Sequence, residues 1–241
     1  MRFRLHIEYE GTDYCGWQFQ AGQRTIQGEI ERALFVALKQ KISVFGAGRT
    51  DSGVHARGQT AHFDFHQELA PGKIERSLNG ILPRDIRIAE LEQTDASFHA
   101  RYSARLREYK YYITRKPSAL LRKFSWFVSY PLDVKMMQAC AQELLGKKNY
   151  KGFSRRDTEV INFDCTVDES KWSEQDDLLI FTIRADRFLY GMVRAIVGTL
   201  VVIGRGKRDK SDLFKILISE DRQQASESAP AKGLILDKVY Y

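Results

Sequence analysis

The succession of strand-like and helix-like segments is the sequence feature that most restricts the fold of this chain. Between residues 3 and 91, apolar residues repeat with the periods of a strand, a helix, two strands, a second helix and a final strand. These segments cover residues 3–9, 25–38, 42–45, 60–65, 71–81 and 85–91. Thr25 is a favoured N-cap residue and Pro71 a favoured first-turn residue, so both helices have clear starts. The order β-α-β-β-α-β predicts a split βαβ, ferredoxin-like unit.

The same kind of pattern recurs in the second half of the chain, from Leu106 onward. It predicts strands at 107–114, 124–130, 167–172, 178–185 and 234–240, and helices at 133–146, from 189 and from 211. Gly146 is a predicted helix C-cap, and residues 175–177 are a predicted hairpin turn. We therefore expect an α/β chain of the α+β type. Two ferredoxin-like lobes, residues 1–104 and 105–241, are expected to carry mixed, largely antiparallel sheets that flank a central cleft.

Charge and cysteine content narrow the possible partners and compartment. Lys and Arg total 38 against 31 Asp and Glu, so the formal charge of +7 favours an anionic partner. A general cationic surface gives the same value, so the placement of the charges has to decide. Three widely spaced cysteines without a Cys-x-x-Cys pair argue against a zinc site or a disulfide framework. The N-terminus lacks a signal-peptide pattern, and Arg194 interrupts the longest apolar stretch, so we expect a cytoplasmic protein without a membrane span.

The segment Gly46-Ala-Gly-Arg-Thr-Asp-Ser-Gly53 is the first candidate for chemistry. Its glycines allow a sharp turn that holds Arg49, Thr50 and Asp51 at the end of a strand, where loops often carry function. The same residues fit an Asx-type turn in which Asp51 only accepts backbone N–H groups, and the local sequence leaves both interpretations open. The spacing of a phosphate-binding loop is absent, which disfavours nucleotide hydrolysis.

Basic and aromatic residues are interleaved in a second candidate segment, from Phe98 to Tyr112. The cations are Arg101, Arg105, Arg107 and Lys110, and the rings are those of Tyr102, Tyr109, Tyr111 and Tyr112. Because cations meet phosphates and rings stack on unpaired bases, this mixture predicts contact with a nucleic acid. In a strand, Arg107, Tyr109 and Tyr111 share one face. An ordinary strand with core rings and solvated charges explains the same pattern.

The third candidate is residues 184–198, where a helix predicted to start at Leu189 is apolar on nearly all sides and therefore buried. Tyr190 and Arg194 are expected one turn apart on one face of it. A buried arginine needs a partner, because an unpaired one costs several kcal/mol, and Asp51 is a candidate. The alternatives are Asp186, Asp164 or a backbone carbonyl group.

Eight separated segments carry a family resemblance. They are Tyr9–Gln18, Thr25–Gln27, Gly48–Ala56, Asn79–Pro83, Phe98–Arg101, Arg107–Tyr111, Phe188–Gly198 and Ala229–Leu236. Together they span nearly the whole chain and resemble the TruA-type family of tRNA pseudouridine synthases, with the Arg-Thr-Asp loop as the most specific match. The stretch Gly146–Phe153 departs from the family pattern, since Asn149 and Tyr150 stand where His and Asp are common. This departure puts the RNA contacts of that stretch in question.

The resemblance implies a set of roles for the residues already singled out. Asp51 is the implied nucleophile, Tyr109 contacts the target base, Arg194 pairs with the aspartate, and Arg49 supports the loop. Further expected RNA contacts are Arg101, His55 and Tyr190. Members of the family isomerise uridines in the anticodon arm of tRNA, at tRNA positions 38, 39 and 40, as homodimers and without metal or cofactor.

Other functions fit some of these features. A pseudouridine synthase with a different RNA target, such as ribosomal RNA, is one alternative, and a non-catalytic RNA-binding protein is another. A metal-dependent nuclease needs clustered carboxylates, and Asp51 has no near acidic neighbour in the sequence. Three chemical routes are open for Asp51: attack on the ribose carbon, attack on the pyrimidine ring, or assistance to a glycal intermediate.

Overall fold

The structure is a computed structural model that describes residues 1–155 and 161–241. The chain forms two compact units. The first contains Met1–Arg105 together with Ile235–Tyr241, and the second contains Leu106–Leu234.

Ten strands and five α-helices make up the described part of the chain. The strands are β1 (Arg2–Tyr9), β2 (Phe45–Gly46), β3 (His55–Asp64), β4 (Ile86–Thr94), β5 (Leu106–Thr114), β6 (Trp126–Phe127), β7 (Gly146–Asn149), β8 (Asp164–Gln175), β9 (Leu178–Ala185) and β10 (Leu234–Tyr240). The helices are α1 (Ile26–Leu38), α2 (Pro71–Ile81), α3 (Val134–Gln142), α4 (Met192–Gly204) and α5 (Lys210–Ser219). This content confirms the predicted α+β class.

Strand β1 is the middle of three antiparallel strands in the first unit, because it pairs with β4 on one side and with β3 on the other. The other edge of β3 takes two further strands. At one end β2 pairs antiparallel, with Phe45 opposite His62, and at the other end β10 pairs in parallel, with Ile235 opposite His55. From β1 to β4 the elements follow the predicted β-α-β-β-α-β order.

Alternate residues of β1 build the core of the first unit. Phe3, Leu5 and Ile7 are fully buried, and the ring of Phe3 stacks on Phe63 of β3 with centroids 5.4 Å apart. Burying a side chain of this size stabilises the fold by roughly 1.5–3 kcal/mol. The predicted N-cap at Thr25 is confirmed, since its side chain accepts a hydrogen bond from the backbone N–H of Gly28.

The second unit has an antiparallel sheet in the order β5-β9-β8-β7. Strand β6 runs parallel to the end of β5, with Trp126 opposite Ile113. A two-residue turn, Asp176-Asp177, joins β8 to β9, and the φ of Asp176 is 53°. Tight hairpins need such a left-handed residue, and the turn predicted at 175–177 is confirmed.

Helix α4 is the buried helix that the apolar sequence of its region predicts. Eleven of its 13 residues are buried, and Arg194 lies near its N-terminal end. The predicted start at Leu189 is wrong, because α4 begins at Met192 after Gly191, whose φ of 71° interrupts helical geometry. Tyr190 therefore lies in a turn before the helix, and the expectation that it shares a helix face with Arg194 is also wrong.

The predicted end of α3 is wrong as well, since the helix stops at Gln142. The N–H groups of residues 143–145 bond to carbonyls three residues earlier, which ends the helix in a tight turn. Gly146 is the first residue of β7, where it lies opposite Val167 of β8. A pairing partner far along the chain decides this boundary, and the local pattern contains no sign of it.

Strand β10 belongs to the first unit, whereas the sequence pattern grouped residues 105–241 together. Its length agrees with the prediction for 234–240, but the local sequence does not specify which strand it pairs with. Strands β2 and β6 have two residues each and are shorter than predicted. Among the described residues no helix combines the length and the apolar character that a membrane crossing requires.

Candidate active site

The Gly46–Gly53 loop connects β2 to β3 and carries Arg49, Thr50 and Asp51. Its first half is tied to β3, because Ala47 donates its N–H to the carbonyl of Thr60 at 2.7 Å. The side chain of Gln59 donates to the carbonyl of Gly48 at 2.9 Å. The loop therefore leaves the sheet with a defined direction.

The second half of the loop is held by the segment that follows β1, Gly11–Trp17. The N–H of Trp17 donates to the carbonyl of Thr50 at 3.1 Å, and the N–H of Gly53 donates to the carbonyl of Tyr14 at 3.3 Å. These backbone contacts lie on either side of Asp51. The backbone is thus held one residue before Asp51 and two residues after it.

A hydroxyl pair lies inside the first unit at the same loop. Tyr9 of β1 and Thr50 share a hydrogen bond of 2.7 Å between their hydroxyl oxygens, and both residues are buried. Burial raises the pKa of the Tyr9 hydroxyl above its ordinary value, so it stays neutral and able to donate. Sequence reasoning missed this role of Tyr9. The signal was present, because Tyr9 opens the first family-like segment.

The predicted residues of the first unit differ in their exposure. Arg49 and Arg101 are exposed, and Asp51 is partly buried. His55 is buried in β3, where its Nδ1 accepts the N–H of Gly11 at 3.0 Å. This contact gives His55 a part in joining β3 to the segment after β1, while its predicted contact with RNA stays a prediction.

Tyr109, a predicted residue of the second unit, lies on β5. The ring of Tyr109 is 8% exposed and packs edge-on against Phe188, with centroids 5.1 Å apart. Tyr111, two residues along the same face, donates its hydroxyl to the carbonyl of Pro230 at 2.8 Å. Burial raises the pKa of Tyr111, and the positive charge of Arg194 acts in the opposite direction. The carbonyl that accepts from Tyr111, at Pro230, directly follows the carbonyl that accepts from Arg194, at Ala229.

Arg194 has an identified partner in its own unit. Its Nε donates to the carbonyl of Ala229 at 2.7 Å, and the N–H of Ala229 donates back to the carbonyl of Arg194 at 2.9 Å. A backbone carbonyl was one of the partners considered from the sequence. Asp186, another of them, accepts the N–H groups of Thr166 and Arg187 instead.

Tyr190 is half exposed and is associated with a cation. The guanidinium of Arg155 donates to the Tyr190 hydroxyl at 3.1 Å, and its central carbon lies 5.3 Å from the ring centroid. The second unit thus brings Tyr109 and Arg194 to the surroundings of Tyr111. Tyr190 lies outside α4 and makes a separate contact.

One potential set of metal ligands occurs in residues 1–155 and 161–241. It consists of His6, Glu90 and Glu92 on β1 and β4. The guanidinium of Arg4 is hydrogen-bonded to the Glu92 carboxylate and competes with a cation for it. The set contains none of the predicted site residues.

The packing of the loop predicts an unequal response to two glycine substitutions. Gly16 and Gly22 both have positive φ, 87° and 74°. A Cβ at Gly16 would lie 2.5 Å from the carbonyl oxygen of Thr50, whereas a Cβ at Gly22 would meet nothing within 4 Å. We expect Gly16→Ala to lower the free energy of unfolding by about 2 kcal/mol more than Gly22→Ala, measured by urea denaturation. Equal losses of unfolding free energy in the two variants would show that the loop moves away from the added methyl group at no energetic cost.

Comparisons with known proteins bear on both units. The family model described as tRNA pseudouridine synthase matches residues 6–103 and 140–241. The tRNA pseudouridine synthase A of Halalkalibacterium halodurans is 43% identical over 238 residues, 97% of this chain and 90% of that protein. That of Brevibacillus brevis is 43% identical over 242 residues, 100% of this chain and 99% of that protein.

A more distant bacterium gives a similar result. The tRNA pseudouridine synthase A of Bacteroides fragilis is 40% identical over 242 residues, 100% of this chain and 96% of that protein. Similarity at this level over the full length covers the Gly46–Gly53 loop, β5 and α4 in one alignment. The chain belongs to the tRNA pseudouridine synthase family.

Proposed function

We propose that this protein isomerises uridine to pseudouridine in the anticodon arm of tRNA, with Asp51 as the nucleophile and with neither metal nor cofactor. The observation that carries the proposal is the way the Gly46–Gly53 loop is held. Backbone hydrogen bonds from Trp17 and Gly53 flank Asp51, which is itself only partly buried. A carboxylate that is carried on a held backbone and is not fully buried is suited to attack a substrate brought to it.

The reaction needs no external reactant. The bond from N1 of uracil to C1′ of ribose breaks, and a bond from C5 to the same carbon forms. C5 loses a proton and N1 gains one, so all atoms and electrons of the nucleotide are retained. A carboxylate serves attack on the ribose, attack on the ring, or removal of a ribose proton on the way to a glycal. Asp51 is the proposed group in each route.

Arg194 is proposed to pair with Asp51 during catalysis. Its support is the family resemblance and its position in an apolar helix, where a guanidinium gains most from a carboxylate partner. Of the other carboxylates considered, Asp186 accepts two backbone N–H groups and Asp164 pairs with Lys147 at 3.2 Å. Arg49 is proposed to support the loop from its exposed side.

Tyr109 is proposed to lie against the target base and to assist removal of the C5 proton. Phe188 holds its ring edge-on, which leaves little freedom for the side chain. Arg101 and Tyr190 are exposed, and they are proposed to contact the RNA. His55, whose Nδ1 also joins β3 to Gly11, is proposed to contact the RNA as well. We also propose that the protein works in the cytoplasm and that it forms a homodimer. Sedimentation of the purified protein tests the dimer.

Asp51→Asn tests the nucleophile with little change in shape. Pseudouridine formation in tRNA should fall by at least about 1000-fold, because an amide is a poor nucleophile and a poor base, while tRNA binding is retained. Asp13→Asn is the matched control, since Asp13 is exposed in the neighbouring segment and loses the same charge. Turnover by Asp51→Asn at the rate of the control would refute the role of Asp51. Full activity in the presence of a chelator is expected for both the unmodified protein and the control.

Tyr109→Phe tests the proton transfer. The ring and its contact with Phe188 are kept, so tRNA should bind normally while product formation is lost. Tyr112→Phe is the control, because Tyr112 lies on the opposite face of β5. Near-normal turnover by Tyr109→Phe in a single-turnover assay would remove the proposed role.

The substrate itself is tested in cells that lack the protein. Pseudouridine should disappear from the anticodon arm of their tRNAs, at positions 38, 39 and 40, and return when the unmodified gene is restored. Chemical mapping of pseudouridine in tRNA and in ribosomal RNA measures this loss and recovery. If the pseudouridine content of the anticodon arms were unchanged and pseudouridine were lost from ribosomal RNA, the target would be ribosomal RNA and not tRNA.

A further inference from the structure

A connected group of aromatic rings lies on the first unit, and we call it the ring platform. It consists of Phe45, His62, His99 and Tyr102. Phe45 stacks on His62 with centroids 5.2 Å apart, His62 meets His99 at 4.6 Å, and His99 meets Tyr102 at 4.4 Å. The two ends of the group are open to solvent, since Phe45 is 50% exposed and Tyr102 is 77% exposed.

Hydrogen bonds hold the inner rings of the platform in place. The Nδ1 of buried His62 accepts the N–H of Ala100 at 3.2 Å. The Nδ1 of His99 accepts the N–H groups of Arg101 at 3.2 Å and of Tyr102 at 3.3 Å. The hydroxyl of Tyr241 donates to the carbonyl of Ala100 at 2.8 Å. Because the support is rigid, a flat ligand that stacks on the platform orders few side chains.

The platform is uncharged and has positive charge at its edge. Burial lowers the pKa of His62 to about 4, so its imidazole is neutral at neutral pH. Burial and then the charge of Arg2 lower the pKa of His99, with a further contribution from Arg101. The central carbon of the Arg101 guanidinium lies 5.8 Å from the centroid of the Tyr102 ring. Exposed rings and a guanidinium therefore occur side by side.

We propose that the ring platform binds one or two unpaired bases of the tRNA substrate, one stacked on Tyr102 with Arg101 on the adjacent phosphate and the other stacked on Phe45. The proposal rests on the proposed function and adds a second point of contact to the Asp51 loop. Every base has a flat face that stacks on an aromatic ring, and the phosphate beside it matches a nearby cation. An apolar protein partner matches the rings alone, whereas a nucleotide matches both the rings and the cation beside them.

Tyr102→Ala tests the stacking with little risk to folding, because the side chain is mostly exposed. The Kd for tRNA should rise about tenfold or more, while kcat at saturating tRNA stays unchanged. Tyr102→Phe keeps a ring and should bind as the unmodified protein does. His99 is unsuitable for substitution, since its imidazole accepts two backbone N–H groups.

Tyr130→Ala is the matched control. Tyr130 is 54% exposed and also lies beside a guanidinium, with the central carbon of Arg205 at 3.7 Å from its ring centroid. It belongs to the second unit and has no part in the ring platform. Removing this ring should leave the Kd for tRNA unchanged, so that an effect of Tyr102→Ala is specific to the platform.

The salt dependence of binding separates the ring from the cation. Tyr102→Ala should leave the slope of log Kd against log salt concentration unchanged, because a stacked ring releases no counterion. Arg101→Gln should reduce that slope by about 0.7–0.9, the value for one phosphate contact. A slope change with Tyr102→Ala would contradict stacking as the cause of its effect.

Three further results would overturn the proposal. The first is a Kd for Tyr102→Ala equal to that of the unmodified protein. The second is an equal effect of Tyr130→Ala. The third is a change of sedimentation from dimer to monomer in Tyr102→Ala, which would assign the platform to contact between copies of the chain. Binding is measured without turnover, so failure of the platform and failure of pseudouridine formation are separate results.

Discussion

Backbone hydrogen bonds between the Gly11–Trp17 segment and the Gly46–Gly53 loop are the interactions on which the candidate site depends. Each contributes roughly 0.5–1.5 kcal/mol net, which is small, but the loop receives them on both sides of Asp51. Because β1 and β3 are neighbours in one sheet, the segment and the loop start from positions that are already set. The backbone that carries the carboxylate is therefore positioned during folding, before any substrate arrives.

The second unit holds its candidate residues in another way. Arg194 belongs to a helix that is buried over most of its length, and Ala229 bonds to it twice. The carbonyl of Ala229 accepts from the Arg194 side chain, and the N–H of Ala229 donates to the backbone carbonyl of Arg194. Tyr111 bonds to Pro230 directly after it. The segment around Ala229–Pro230 thus connects α4 to β5. This contact gives a structural role to the family-like segment Ala229–Leu236, for which the sequence alone indicated none.

The sequence predicted most accurately what is decided by neighbouring residues. The cap at Thr25, the helix that begins at Pro71 and the turn at Asp176-Asp177 depend on contacts within a few residues. The end of α3 and the pairing of β10 depend on partners far along the chain, and both were missed or misassigned. Tertiary pairing overrides local preference at such places, because one additional strand pair outweighs a fraction of a helical turn.

The residues of the candidate site show the same difference between local and distant determinants. The sequence could nominate Asp51, Tyr109 and Arg194 for the proposed chemistry, because acids, rings and cations in unusual surroundings are visible in a sequence. Their supports were missed, since a buried Tyr9 or an imidazole such as His55 looks like any other core residue until its partner is known. The helix face proposed for Tyr190 failed for a local reason, because a glycine with positive φ interrupts the chain just before α4.

The ring platform and the Asp51 loop have a common origin in β2 and β3. Phe45 lies opposite His62 in the strand pair, and Gly46, the next residue, opens the loop. Extruding a base from a folded RNA costs a few kcal/mol, and without an external energy source binding has to offset it. Stacking is worth roughly 1–3 kcal/mol per base. The stacking of one or two unpaired bases on the platform is therefore large enough to offset the cost of extruding the target base. The short strand that directs the nucleophile would then also anchor the RNA that delivers its uridine.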